Sequence, residues 1–150
     1  MTTVMSAAVA AILAKLNEAP AVAAVVERTR LRALPNGIAE AVNVKVMDAE
    51  TGERAQDGAV LYWRARIAVE LYARAQPDQA ADEAIDALLE RVFARLMQQP
   101  TLGVGWMFLA PEDGAGLVFD YESHGETVAS VVLTLSARIL TAGSSLSPFA

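Results

Sequence analysis

The run Val60-Leu61-Tyr62-Trp63-Arg64-Ala65-Arg66-Ile67-Ala68-Val69-Glu70-Leu71-Tyr72-Ala73-Arg74, followed by Ala75-Gln76-Pro77-Asp78, decides the fold. Every second residue from Leu61 to Ala73 is apolar, and the residues between are mostly charged or aromatic with a polar tip. That period of two predicts a long strand with one buried face and one open face. Pro77 and Asp78 suit the first turn of a helix, and Ala81, Ile85, Leu88, Leu89, Val92 and Leu96 then recur at helical spacing until Pro100 stops the run. A strand and a helix, each apolar on one side, must share a core. The unit fixes the architecture and by itself names no chemistry.

Outward from this unit, the N-terminal side predicts a helix capped by Thr2 or Thr3, with an apolar stripe of Met5, Val9, Ile12, Leu13 and Leu16, ending near Asn17 ahead of Pro20. Residues Ala21 to Glu27 read as a short helical turn or a loop. Arg28, Arg30 and Arg32 alternate with Thr29 and Leu31; they suit either a basic strip meeting an acidic partner or an edge segment kept soluble by charge. Pro35-Asn36-Gly37 is a turn signal. A second strand has Val42, Val44 and Val46 on one face and Asn43, Lys45 and Met47 on the other. The polar connection Asp48 to Gly58 is longer than a tight hairpin needs, and reads as a solvated loop or as a finger ordered by a partner.

On the C-terminal side, short strands are expected at Trp106 to Leu109 and Leu117 to Tyr121, around a Glu112 to Gly116 turn. A final long strand has Ala129, Val131, Leu133, Leu135, Ala137 and Ile139 on one face. The tail from Gly143 to Ala150 is expected to fray or to dock on a partner. One domain is expected over residues 1–150, with a helix in 1–18, a core in 39–141 and the tail in 143–150.

Composition excludes several classes. The chain has 150 residues, no cysteine and a net charge of −6. Disulfides, thiolate zinc sites and a cysteine nucleophile are ruled out. The acidic balance argues against phosphate-backbone binding as the main task. The Ala/Val-rich stretch from Ala7 to Leu13 is too short to span a bilayer, and no basic segment precedes it, so a helix is expected there rather than a signal peptide.

The search for a reacting centre yields little. His124 is the only histidine, set between Ser123 and Gly125; nearness of Asp120 in sequence is not triad geometry, and a surface turn is expected. Gly103-Val104-Gly105 and Gly114-Ala115-Gly116 lack the spacing of a nucleotide fingerprint. Asp78, Asp82, Asp86 and Glu90 form an i, i+4 carboxylate ridge beside the helix's apolar stripe. Like charges so spaced cost a few tenths of a kcal/mol each. The ridge reads as a solvated face or as a mate for a neighbouring subunit's arginines; no Glu-x-x-His motif supports a metal site. Trp63 is expected in the core, and Trp106 in the core or at an interface. The chain is read as no enzyme, with no cofactor or metal.

Taken in order, the valine strand Ala41 to Val46, the Thr51-Gly52-Glu53 loop, Trp63 to Leu71, the helix opened by Gln76-Pro77-Asp78, the Asp113 to Gly116 turn and the closing strand Val128 to Ile139 form a pattern. It resembles the tail terminator proteins of long-tailed bacteriophages, the minor tail protein U family, over roughly Ala39 to Thr141, with the family's leading helix at Thr3 to Leu16. The chain departs from that pattern in a longer segment before the valine strand and in its tail.

The resemblance implies an α+β domain, a single, mainly antiparallel sheet with two helices packed on one face, the protomer of a hexameric ring. It implies a structural virion protein that caps the tail tube, ends tube growth and offers a surface to a head or neck completion protein. DNA would pass through the lumen without specific binding, and no membrane is involved; the acidic charge suits a repulsive bore. The expected place is the head-proximal end of the tail in the virion, and the host cytoplasm during assembly. Tube contact is expected from Glu50, Thr51, Glu53, Arg54 and Asp57. Subunit contact is expected from Arg28, Arg30, Arg32, Tyr62, Arg64, Arg66, Asp78, Asp82, Asp86 and Glu90, because a heterologous ring needs two different patches per subunit. Another neck or head-joining protein, or a small cytosolic ligand-binding domain, are the alternatives.

Overall fold

The computed structural model describes residues 2–28, 34, 37–54, 59–123 and 127–148; the side chains of residues 53, 54, 122, 123 and 127 fall outside that description. The elements run α1 (Val4–Asn17), β1 (Val25–Arg28), β2 (Glu40–Arg54), β3 (Val60–Arg74), α2 (Ala81–Met97), β4 (Met107–Pro111), β5 (Val118–Ser123) and β6 (Thr127–Ala142). The sheet has the order β1-β2-β3-β6-β4, with β5 also paired to β6. All pairings are antiparallel except that of β1 with β2. The class is α+β, a mainly antiparallel six-stranded sheet with two helices.

The alternation in β3 and β6 produces a two-faced sheet. Val44, Val69 and Leu133 stand directly opposite one another across three strands, as do Val42, Leu71 and Val131. All six are buried, and with Ile67, Leu135, Ala137 and Ile139 they form the floor on which the helices lie. From α1, Val4, Val9, Ile12 and Leu16 are buried; from α2, Ile85, Leu88, Val92 and Leu96. Each such aliphatic side chain removed from water stabilises the fold by roughly 1.5–3 kcal/mol. Among the described residues the opposite face of the sheet carries no helix.

The helix termini have separate causes. Thr3 caps α1, its hydroxyl accepting the Ser6 amide at 3.3 Å. At the other end of α1 the Arg95 guanidinium of α2 donates to Lys15 O at 3.1 Å and, just past the helix, to Glu18 O at 2.9 Å and Pro20 O at 2.7 Å, while the Val22 amide serves Leu16 O at 3.1 Å. The start of α2 departs from expectation. Pro77 and Asp78 lie in a turn closed by the Gln79 amide on Gln76 O at 2.9 Å, and the helix begins only at Ala81. Proline's fixed φ serves the second position of a turn as well as it serves a helix start. Asp82 and Glu83, not Asp78, occupy the dipole-favoured first turn.

Two further expectations are corrected. Residues Ala21 to Glu27 are neither a helical turn nor merely a loop, since Val25–Arg28 add a parallel edge strand to β2. The connection expected from Asp48 to Gly58 is strand as far as Arg54, with Asp48 opposite Arg66, Ala49 opposite Ala65, Glu50 opposite Arg64 and Thr51 opposite Trp63. Register shifts after Val46 and after Thr51 let this arm bend away from the core. Among the described residues β1 pairs with Ala41 to Val44 and the outer part of β2 has one strand neighbour, and Met47 to Gly52 are exposed. Residues 143–148 lie back against the domain: the Val4 amide donates to Leu146 O at 2.6 Å, and Thr141 bridges Pro148.

Candidate functional site

On the helix-free face, Tyr62, Arg64, Arg66, Glu70 and Tyr72 project from β3 between Asn43, Lys45, Asp48 and Glu50 of β2 and Ser130, Val132, Ser136 and Arg138 of β6. Arg66 lies across the Asp48 carboxylate, Nε donating to Oδ1 at 2.9 Å and to Oδ2 at 3.0 Å. The hydrogen bond from Arg66 holds the Asp48 carboxyl below its ordinary range, and the same contact raises Arg66. Glu70 gathers Lys45 at 2.8 Å, the Tyr72 hydroxyl at 2.8 Å and Asn43 at 3.4 Å. Burial alone would push Glu70 up; the hydrogen bonds from Lys45, Tyr72 and Asn43 outweigh it, and its pKa is lowered.

Arg64 bridges Glu50, at 3.5 Å, and Glu112, which reaches up from the segment after β4. Glu112 is only 8% exposed, and its second oxygen, Oε2, has no hydrogen-bond partner among the described residues. The Arg138 guanidinium lies 4.6 Å from the centre of the Tyr62 ring. Phe108 of β4 stands opposite Arg138 and is 52% exposed. This corner joins an aromatic pair to a cation, the composition that protein interfaces favour.

The second feature is a groove of about 450 Å³ on the helix-bearing side, between α2 and the β4–β5 connection. Leu89 and Phe93 of α2, Pro111, Leu117 and Leu133 make its walls, and Asp86 and Glu90 its rim. Phe93, Leu117, Phe119 and Tyr121 are all exposed along this side. Among the described residues neither Asp86 nor Glu90 has an ion-pair partner. The arrangement can receive an apolar side chain accompanied by positive charge.

The expected contact residues do not form one site. Tyr62, Arg64, Arg66 and Glu50 share the open face, while Thr51 lies opposite Trp63 on the other. Arg28 is on the far edge strand, donating to Ser6 Oγ at 2.7 Å. Asp82, Asp86 and Glu90 are exposed on α2, with Asp78 in the turn before it. Arg30, Arg32, Asp57 and His124, and the side chains of Glu53 and Arg54, lie outside the described residues. Trp63 is partly buried and donates to Thr141 Oγ1 at 3.0 Å; Trp106 also packs partly buried against the core.

Sequence reasoning missed Glu112, taken as a plain turn residue, and the groove itself. The alternation of β6 placed Arg138 on a polar face, but only the register brings it to Tyr62. The two glycine clusters are turns: Leu102 (φ 52°) with Gly103 (φ 76°) after α2, and Gly114 (φ 75°) before β5. Among the described residues no group of three or more histidine or acidic side chains is placed to hold a metal ion, and no helix is long and apolar enough to cross a membrane.

No known protein family matches the sequence, and no match was found among curated proteins. Among solved structures the chain is similar to the sheath/tube terminator, in its extended state, of an extracellular contractile injection system seen by electron cryo-microscopy. The identity is 13% and the TM-score 0.40, with all of this chain aligned to 61% of that one, so the chain spans less than two thirds of its length. A likeness of that degree bears on neither the fold nor the role of this protein.

Proposed function

We propose that this protein is a structural component of a phage-like tail, a terminator whose copies form a ring, six around a pore, on the end of the tail tube. The reading rests on the ordered pattern from the valine strand to the closing strand. The observation that carries it is the helix-free sheet face. Five central strand positions there hold Tyr62, Arg64, Arg66, Glu70 and Tyr72, joined by Phe108 and Arg138, and among the described residues no helix lies over them. A protein that transforms a small molecule concentrates convergent polar groups in a concave pocket; here the polar groups are spread over a flat sheet. The protein would have no catalytic role and require no cofactor. Its partners would be other copies of itself, the tube subunit and a head or neck completion protein.

In this reading the outer β2–β3 arm, with Glu50, Thr51, Glu53 and Arg54 and the connection containing Asp57, touches the tube subunit. Replacing residues 53–61 by Asn-Gly joins Gly52 to Tyr62, beside the opposed Thr51 and Trp63, through a two-residue turn and keeps both the core and Tyr62. The shortened protein should still form its ring and fail to cap tubes; unimpaired capping would refute the assignment. The broader test is electron microscopy of particles assembled without the protein. Overlong tails are expected. Tails of normal length that have come away from heads would instead identify a joining protein, and intact normal particles would end the structural reading altogether.

A further inference from the structure

We infer that the groove between α2 and the β4–β5 connection is the socket for a second copy of this chain, filled by the Arg30-Leu31-Arg32 segment that follows β1 of the neighbour. The inference deepens the ring reading above and rests on it. The socket is apolar within, through Leu89, Phe93, Leu117 and Leu133, and acidic at its rim, through Asp86 and Glu90. An apolar wall of this kind left open to water is uncommon on a chain that works alone. The charge of the rim asks for a positively charged occupant, and basic residues flanking an apolar one occur in this sequence at Arg30-Leu31-Arg32.

The occupant is assigned to a neighbour because within one molecule α1 and α2 cover the sheet between β1 and the groove. Arg28 is fixed opposite Val44, Val44 opposite Val69, and Val69 opposite Leu133, a wall of the groove. Three strand spacings separate them, about 14 Å, and the groove extends beyond. Leu31 is three residues past Arg28 and reaches at most about 11 Å from it. The same register places Arg28, at one edge of the sheet, level with Leu133 in the groove toward the other. Successive copies joined this way need no shift along the strands, and the contact is heterologous, as a closed ring requires.

The test uses the full chain, with assembly followed by native mass measurement and sedimentation. Asp86→Arg with Glu90→Arg reverses the rim, and Arg30→Glu with Arg32→Glu reverses the segment. Each pair alone should weaken assembly by about tenfold or more, and the two combined should recover most of it, because opposite charges face each other again. Since the natural chain has no cysteine, Leu31→Cys with Leu117→Cys gives an independent readout: mild oxidation should link neighbours into a ladder ending at the ring. A wild-type ring that neither reversal disturbs, with no ladder from the cysteine pair, overturns this contact and leaves the ring standing. A wild-type chain that stays monomeric at every concentration and on tube ends overturns both.

Discussion

The two faces of β3 meet the same problem, what to set against a flat strand, in opposite ways. On one side Ala65, Ile67, Val69, Leu71 and Ala73 are buried under the helices. On the other, Arg64 and Arg66 stay exposed, each held by a carboxylate of the next strand or loop. The covered face derives its stability from area removed from water and the open face from pairing that water weakens. The difference teaches where the chain can tolerate change. Stability is concentrated beneath the helices, and the open face is left available for recognition.

The contrast can be broken most sharply from the covered side. Leu71→Ala should cost about 2–5 kcal/mol in chemical denaturation, since a fully buried side chain leaves a cavity between strands and helix. Next comes the place where the open face is itself buried. Arg64→Ala strips Glu112 of its cation and should cost about 1–3 kcal/mol, and adding Glu112→Gln should return part of that loss by removing the stranded charge.

Smaller again is the acid limb. The folded-state pKa of Glu70 lies below its unfolded one, so its stabilisation is complete above the unfolded pKa and fades as pH falls through the folded value. Glu70→Gln should flatten the fall in melting temperature over the range where glutamates protonate; an unchanged slope would show that Lys45 and Tyr72 do not act through it. The least effect is expected at the solvent-exposed Asp48–Arg66 pair. Asp48→Asn should leave the denaturation midpoint within experimental error, in high or low salt.

The same contrast explains what the sequence discloses. β3 and β6 are legible because one face is covered along nearly their whole length, and that imposes a period of two. The outer arm of β2 is not, because Met47 to Gly52 are exposed and no burial pattern is written there. β1 is hidden for another reason: four residues paired in parallel to β2 owe their conformation to a neighbour, and alanine and valine in that region fit several structures. Pro77 misplaces the helix start because a turn and a first helical turn demand the same φ. Of the candidate surfaces, the charged face could be read from alternation. The groove could not, being assembled from α2, the residues around Pro111 to Leu117, and Leu133, which only the topology brings together.

Arg95 has a consequence for the order of events as the chain is made. Its guanidinium closes the end of a helix that was synthesised some 77 to 80 positions earlier, as the separations from Glu18 and Lys15 record. α1 therefore depends on the later α2 for part of the sealing of its C-terminal end, a long-range dependence of the kind that slows folding. In refolding followed by pulsed hydrogen exchange, the amides near the end of α1 should become protected together with those of α2. Protection of α1 well ahead of α2 would show that the helix completes itself unaided.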